Sequence, residues 1–417
     1  METTPDQTHT RSFAYLGVGA DLVTILSRDG ITRPFPIQAM AIPDALAGQD
    51  VLGKAKTGAG KTLAFGLPLV EKLSDARPKH PTALILVPTR ELCSQVADAI
   101  EPFVTARGFE LVSVYGGVSI RDQMGLLNRG AEVVVATPGR LIDLVDRKAA
   151  ILDDVKIVVI DEADEMANMG FLPQVHKIMR AVGGGHQTML FSATLDYQVR
   201  NLVHKYMHDP VSHEVESDSV MVETSIHRFI EAHQRDKPDI VARIAANFER
   251  TIVFTRTKRD ADFLAGALRD GGVKASAIHG DISQDKREKT LARFVDGKLP
   301  VLVATNVAAR GLHIDGLDVV IHFEPPEDPR VYVHRSGRTA RAGEEGLVVT
   351  LVEWDQHLMA KEIMTQAGLN EPIVKMFSND ERLDDLAGWE PPPPPEATTM
   401  SAAERRRRRH RRRRGIL

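Results

Sequence analysis

Short runs of aliphatic and β-branched residues recur along the chain, at Val51-Leu52, Ala83 to Val87, Val133 to Ala136, Ile157 to Ile160 and Met189 to Phe191. Each is followed by a polar or glycine turn and then by a helix-like segment. Wholly apolar strands alternating with helices are the pattern of a parallel sheet covered on both faces. The rhythm pauses across roughly His208 to Thr224, where Asp, Ser, Glu and Pro replace the apolar runs. It resumes with Thr251 to Phe254, Ala275 to Ile278, Val301 to Ala304, Val319 to Phe323 and Leu347 to Leu351. The pattern predicts an α/β fold of two tandem domains, residues 13–212 and 226–370, each a mostly parallel sheet with helices on both faces. An extension at 1–12 precedes them and a linker at 213–225 joins them. Beyond 370 an acidic stretch, Pro391 to Pro395 and an arginine run offer too little to bury, so 371–417 is expected to be a disordered basic tail.

Composition narrows the class. A length of 417 residues accommodates two ordinary domains with their own cores. Hydrophobic residues at 43% and charged residues at 26% exclude wholesale disorder and a membrane-embedded body. Met1 to Thr10 lacks the basic start and apolar stretch of a signal peptide, which makes the cytoplasm the expected compartment. The single cysteine, Cys93, excludes an intrachain disulfide and is expected to be an inert, partly buried thiol. The net charge of −4 conceals nine arginines between Arg405 and Arg414, so an acidic body carries a polybasic tail.

The unusual polar sequences fall at carboxyl ends of strands, where open α/β sheets bind ligands. Ala55 to Thr62, Ala-Lys-Thr-Gly-Ala-Gly-Lys-Thr, follows one strand and opens a helix. Small residues there let backbone N–H groups approach phosphates, Lys61 supplies a point charge, and the Thr62 hydroxyl suits Mg²⁺. Asp161 and Glu162 end another strand. Asp161 is suited to hold Mg²⁺ through water, and Glu162 to orient or deprotonate an attacking water. Taken alone, such carboxylates also serve as helix caps; beside a phosphate loop they read as catalytic.

With Asp161-Glu162-Ala163-Asp164 and a dozen motifs in order from about Phe13 to Leu351, the chain resembles the DEAD-box ATP-dependent RNA helicases, and most of all the bacterial members. The resemblance implies two RecA-like domains, ATP with Mg²⁺, and RNA as partner. Its adenine-recognition segment is similar to Gly30 to Gln38, with Phe13 upstream and Arg33 within it. Nucleotide binding is thereby assigned to Phe13, Arg33, Gln38, Thr57, Gly58, Ala59, Gly60, Lys61, Thr62 and Gly311. Ala55 stands where the general phosphate-loop pattern has glycine, and the chain departs from the family at Ile31 (usually aromatic), at Phe35 (usually threonine), and at Asn306 and His313 (usually aspartate).

The segment His334 to Arg341 resembles the family's arginine-finger motif, so Arg338 and Arg341, three apart and expected on one helix face, join Lys61, Asp161 and Glu162 as catalytic residues. Ser192, Thr194, Arg310 and His334 are implied in coupling hydrolysis to strand separation. The implied RNA contacts are Pro88, Thr89, Arg90, Gly117, Thr137 and Arg140, then Thr255, Arg256, Gln284, Arg287 and Thr305. Hydroxyls, glycine backbones and single arginines grip phosphate and sugar, so binding is expected to be independent of base sequence. The tail is expected to anchor RNA electrostatically, the core to be monomeric, and ribosomal or RNA-decay proteins to be partners. Two rivals stay open: a translocating DNA helicase, and an ATP-gated RNA clamp that does not unwind.

Overall fold

The computed structural model describes residues 12–55, 58–215, 225–305, 316–339 and 346–392. The chain forms two compact units that divide within the expected linker.

The first unit holds β1 (Val51–Lys54), β2 (Ala83–Leu86), β3 (Leu111–Val114), β4 (Val133–Ala136), β5 (Ile157–Ile160), β6 (Gln187–Ser192) and β7 (Val211–Glu214) in one sheet. Their order is β3-β4-β2-β5-β6-β1-β7. Every pairing is parallel. Its helices are α1 (Ala20–Arg28), α2 (Pro36–Leu46), α3 (Lys61–Glu71), α4 (Arg90–Ala106), α5 (Ile120–Arg129), α6 (Pro138–Asp146), α7 (Ala163–Asn168), α8 (Leu172–Ala181) and α9 (Tyr197–Tyr206). Successive strand residues point to opposite faces. Ala83, Ile85, Val133, Val135 and Val159 therefore enter one core with Ile42, Phe65 and Ile100. Leu84, Leu86, Val134, Val158 and Ile160 enter a second core with Leu141, Met166 and Ile178. Burying each such aliphatic side chain contributes about 1.5 to 3 kcal/mol, which is why the runs are continuous rather than alternating.

The second unit holds β8 (Ser225–Glu231), β9 (Thr251–Thr255), β10 (Ala275–Ile278), β11 (Val301–Thr305), β12 (Val319–His322), β13 (Gly346–Val352) and β14 (Ile373–Lys375). Their order is β10-β11-β9-β12-β13-β8-β14. Renumbered from its own first strand, this is the order of the first sheet. The helices are α10 (Lys237–Ala245), α11 (Lys258–Asp270), α12 (Gln284–Val295), α13 (Pro329–Ser336) and α14 (His357–Gln366). No helix among the described residues is long and apolar enough to cross a membrane.

Three sequence expectations need correction. Residues 211–214 are a strand paired with β1, and β8 begins at Ser225, so the linker contracts to the segment between 215 and 225. Residues 371–392 are folded: β14 pairs with β8, and Met376, Leu383 and Leu386 are buried in the core of the second unit. Arg228 donates to the carbonyls of Leu386 and Trp389, and the guanidinium groups of Arg228 and Arg382 lie 5.7 and 5.3 Å from the Trp389 ring centre. The tail expected from 371 starts no earlier than 393, beyond which the residues lie outside those described. Finally, α13 ends at Ser336, so Arg338 sits in the turn after the helix and not on its face.

Candidate nucleotide and nucleic-acid site

The phosphate loop leaves β1 and enters α3 through Gly60, whose φ of 84° is the left-handed conformation that glycine adopts without penalty. No side chain caps α3 there. Its first backbone N–H groups and its dipole therefore suit an anion. A Cβ on Gly60 would lie 2.5 Å from Gln38 Nε2 and 2.6 Å from the Phe35 ring, so glycine is also required for close approach. Gln38 is buried; its Oε1 accepts from Phe35 N at 2.8 Å and its Nε2 donates to the Gly60 carbonyl at 2.9 Å. A primary amide retains a second proton and a second lone pair beyond these two bonds, enough for one adenine edge. Thr57 lies outside the described residues, as do Arg310, Gly311 and Arg341.

Lys61 is 6% exposed and donates from Nζ to Glu162 Oε1 at 2.8 Å. Burial is the largest influence on its ammonium and acts to depress the pKa, but Glu162, Asp161 and Asp164 together outweigh it and leave the pKa raised. The lysine is a permanent cation. Glu162 adopts φ 54°, ψ 48°, a strained backbone for a non-glycine residue. Asp161 is buried and accepts from Glu162 N through Oδ1 at 2.9 Å. The carboxylate of Asp161 and the hydroxyl of Thr62, at the start of α3, are hard oxygen donors of the kind that suits Mg²⁺.

Asp164, absent from the residues singled out above although it closes the same tetrapeptide, is the hub of the next layer. Its Oδ2 accepts from both Thr194 N and Thr194 Oγ1 at 2.9 Å, and its own N–H donates to Ser192 Oγ at 3.2 Å. Ser192 Oγ donates onward to the Thr194 carbonyl, and the Ser192 carbonyl accepts from Ala55 N at the mouth of the phosphate loop. Hydrogen bonds thus run from Ala55 through Ser192 to Asp164 and Thr194.

At the carboxyl ends of the adjacent strands β3, β4 and β2 the first unit gathers its predicted RNA contacts. Thr89 caps α4, accepting from Leu92 N, and Pro88 before it is buried. The Arg90 guanidinium lies against Gly116-Gly117; a Cβ on Gly117 would fall 1.9 Å from Arg90 Nη1. Thr137 precedes α6 without capping it through its side chain. Arg140 donates to Gln123 Oε1 and to the Val118 carbonyl. Buried Gln123, another residue the sequence reading passed over, fixes that arginine.

Other predicted residues fare differently. Phe13 is 2% exposed within the first core and offers no ring face to a ligand; its role here is packing. Arg33 is exposed. In the second unit Thr255 is completely buried and donates to the Thr257 carbonyl, which takes it out of reach of RNA. Thr305 ends β11, Arg287 is buried on α12, and Arg256 pairs through its guanidinium with Glu327 at 3.2 Å. The side chains of Gln284 and His334 lie outside the description. Beside Arg338, Arg335 is buried, its guanidinium 4.8 Å from the Phe254 ring centre and 3.3 Å from His322 Nδ1. Cys93 is buried, and burial pushes its thiol up to about 12, as expected for an inert group.

A glycine-bearing turn into α3, a buried lysine held by a strand-end carboxylate and two sheets of one topology are the parts of a nucleotide-binding enzyme. Comparisons with known proteins sharpen the class. The DEAD/DEAH box helicase model matches residues 35–202, and the helicase conserved C-terminal domain model matches 236–343. The chain is 40% identical over 377 residues to the DEAD-box ATP-dependent RNA helicase CshA of Bacillus subtilis, a match covering 90% of this chain and 76% of that one. With the ATP-dependent RNA helicase CshA of Listeria monocytogenes it is 41% identical over 343 residues, covering 82% of this chain and 66% of the relative, so part of each relative extends beyond the match. Among solved structures, Saccharomyces cerevisiae Dbp5 bound to RNA and ADP BeF3 is similar with a TM-score of 0.75 and 27% identity, over 89% of this chain and 97% of Dbp5. The chain belongs to the DEAD-box ATP-dependent RNA helicases, and its units are the family's tandem RecA-like domains.

Proposed function

We propose that this ATP-dependent RNA helicase arms its catalytic base by exchanging the partner of Lys61. The supporting observation is the 2.8 Å contact between Lys61 Nζ and Glu162. Before ATP arrives, the ammonium holds the carboxylate that hydrolysis requires. The β- and γ-phosphates, seated on the N–H groups of α3, draw Lys61 away and leave Glu162 able to accept a proton. Water then attacks the γ-phosphorus, its proton passes to Glu162, and the bond to the β-phosphate oxygen breaks. Mg²⁺, held by Asp161 through water and by Thr62, supplies charge neutralisation on the phosphate oxygens when bound. Gln38 reads adenine with its second amide proton and lone pair.

The second unit supplies the guanidinium groups of Arg338 and Arg341 for charge developing on the transferred phosphoryl group, an effect worth roughly 10³ to 10⁵ in rate in related chemistry. Ser192, Thr194, Arg310 and His334 transmit the nucleotide state to RNA. Thr89, Arg90, Gly117, Thr137, Arg140, Arg256, Gln284, Arg287 and Thr305 hold the phosphodiester backbone, so duplexes and RNA–protein complexes are remodelled without regard to base sequence. The arginine-rich tail adds nonspecific affinity. The enzyme acts as a cytoplasmic monomer on RNAs handled by ribosomal or RNA-decay proteins.

Replacing Glu162 by Gln keeps the shape and removes the base. RNA-stimulated ATP turnover is expected to fall by at least about 10², while RNA binding with ATP is retained or tightened. Unchanged turnover in that variant refutes the assignment.

A further inference from the structure

Tyr332, Arg335 and Ser336 are all buried on α13, at the spacing that puts residues on one helix face. All three meet a single side chain of the sheet, His322. It is the last residue of β12, paired with Phe254 of β9 on one side and Thr350 of β13 on the other. The His322 ring stacks on Tyr332 with ring centres 4.7 Å apart and an interplanar angle of 22°, and Phe254 stacks beside it at 6.1 Å. Tyr332 extends this column to Phe229 at 6.0 Å and brings its hydroxyl within 2.6 Å of His227 Nδ1. Arg335 Nη1 lies 3.3 Å from His322 Nδ1, and Ser336 Oγ lies 3.3 Å from His322 Nε2.

These partners fix the state of the imidazole. A guanidinium has N–H groups only, so His322 Nδ1 accepts from Arg335. The proton of the neutral ring is then on Nε2, where it donates to Ser336 Oγ. A protonated ring would carry N–H at both positions and could not accept from Arg335. Burial first, then the charges of Arg335 and His227, hold the ring neutral well below the ordinary histidine range.

The helix ends at Ser336, and Arg338 follows one residue later. Past that point the chain is held again, with Leu317 N donating to the Arg338 carbonyl at 3.2 Å and Thr339 Oγ1 donating to the Leu317 carbonyl at 2.5 Å. The turn bearing Arg338 is therefore fastened on both sides, by Leu317 and, through Arg335 and Ser336, by His322. We infer that His322 is a positioning residue for ATP hydrolysis: as a neutral ring at the end of β12 it holds the last turn of α13 and so sets where Arg338 is presented. A charge-assisted bond in a dry core holds its partner firmly, and misplacing a reacting group by about 1 Å can cost roughly 10² in rate. The inference rests on reading Arg338 as an arginine that meets the transferred phosphoryl group.

The test is single-turnover, RNA-stimulated ATP hydrolysis by the full chain, at a temperature where circular dichroism shows each variant folded, with ATP and RNA affinities measured separately. His322→Leu keeps an apolar side chain in the core and removes both hydrogen bonds. Its hydrolysis rate is expected to fall roughly ten- to hundredfold, while ATP and RNA affinities stay close to the parent's. His322→Asn sets an amide oxygen where Nδ1 stood, keeps an acceptor for Arg335 and recovers most of the rate. Because it also loses the ring stack, that recovery cannot come from stability. In an Arg338→Ala background His322→Leu should cost much less than in the parent, since the two changes act through one turn. An equal cost in both backgrounds, or a His322→Asn protein no faster than His322→Leu, reduces His322 to a core residue and overturns the inference. If Arg338→Ala slows hydrolysis and His322→Leu does not, the inference fails and the reading of Arg338 stands; if Arg338→Ala is parent-like, both fail. Should His322→Leu not fold, Ser336→Ala, which deletes one hydroxyl, takes its place with a smaller fall expected, and a parent-like rate there overturns the inference.

Discussion

Replacing Asp164 by Ala isolates the connection between the nucleotide loop and the segment that follows β6. The carboxylate is 4% exposed and accepts two hydrogen bonds from Thr194 at 2.9 Å. Its loss strands the Thr194 N–H and hydroxyl and removes one of the charges that keeps Lys61 protonated. Hydrogen bonds to a charged acceptor contribute about 1.5 to 3 kcal/mol each. With partial relaxation and water entry the combined loss is about 3 kcal/mol. For a unit of this size that lowers Tm by roughly 6 to 12 °C. Thr194→Val removes only the hydroxyl bond and should cost about 1 kcal/mol, and the double variant should lose little beyond Asp164→Ala, because the two changes delete the same contact. Differential scanning fluorimetry reads stability; strand displacement per ATP hydrolysed reads coupling, which should fall further than ATPase itself. An Asp164→Ala protein that melts within about 1 °C of the parent and unwinds with the same yield per ATP would refute the reasoning.

Two further outcomes follow from geometry and burial. Gly60→Ala must carry a φ of 84° and a Cβ 2.5 Å from the Gln38 amide, whereas Gly58→Ala, at φ 85° with open space around it, carries the backbone strain alone. Left-handed strain costs about 1 to 2 kcal/mol, so fluorescent-nucleotide titration should find Gly60→Ala at least about tenfold weaker and Gly58→Ala less impaired; equal losses would remove the steric role of Gln38 and Phe35. His322 is fully buried, and burial first, then the charges of Arg335 and His227, drive its pKa well below the ordinary histidine value. The unfolded chain therefore binds a proton that the folded chain does not. The stabilisation is present above the unfolded pKa near 6.5 and is lost as pH falls below it. Denaturant melts of His322→Gln between neutral and mildly acidic pH should have a shallower pH slope than the parent, and an identical slope would contradict the burial argument.

Most of the architecture was legible because parallel strands buried on both faces are continuous apolar runs; Ala83 to Val87 and Val301 to Ala304 read directly. β14 was not, because a three-residue strand and a single turn of 3-10 helix carry no periodicity, and Met376, Leu383 and Leu386 are scattered among acidic residues. The phosphate loop and Asp161-Glu162 were legible as local motifs. Gln123 and Asp164 were passed over because their roles lie in what they orient, Arg140 and Thr194, contacts distant in sequence. Thr255 was misassigned for a related reason. A threonine at a strand end reads the same whether its hydroxyl faces solvent or its own turn.

The central claim is that phosphate chemistry is divided, with lysine and carboxylates in the first unit and arginines in the second. Single-turnover hydrolysis by Arg338→Ala and Arg341→Ala, alongside nucleotide affinity measured separately, tests it most directly. The account predicts an RNA-stimulated rate reduced by roughly 10² or more with ATP binding changed far less. A parent-like rate in both variants would contradict it.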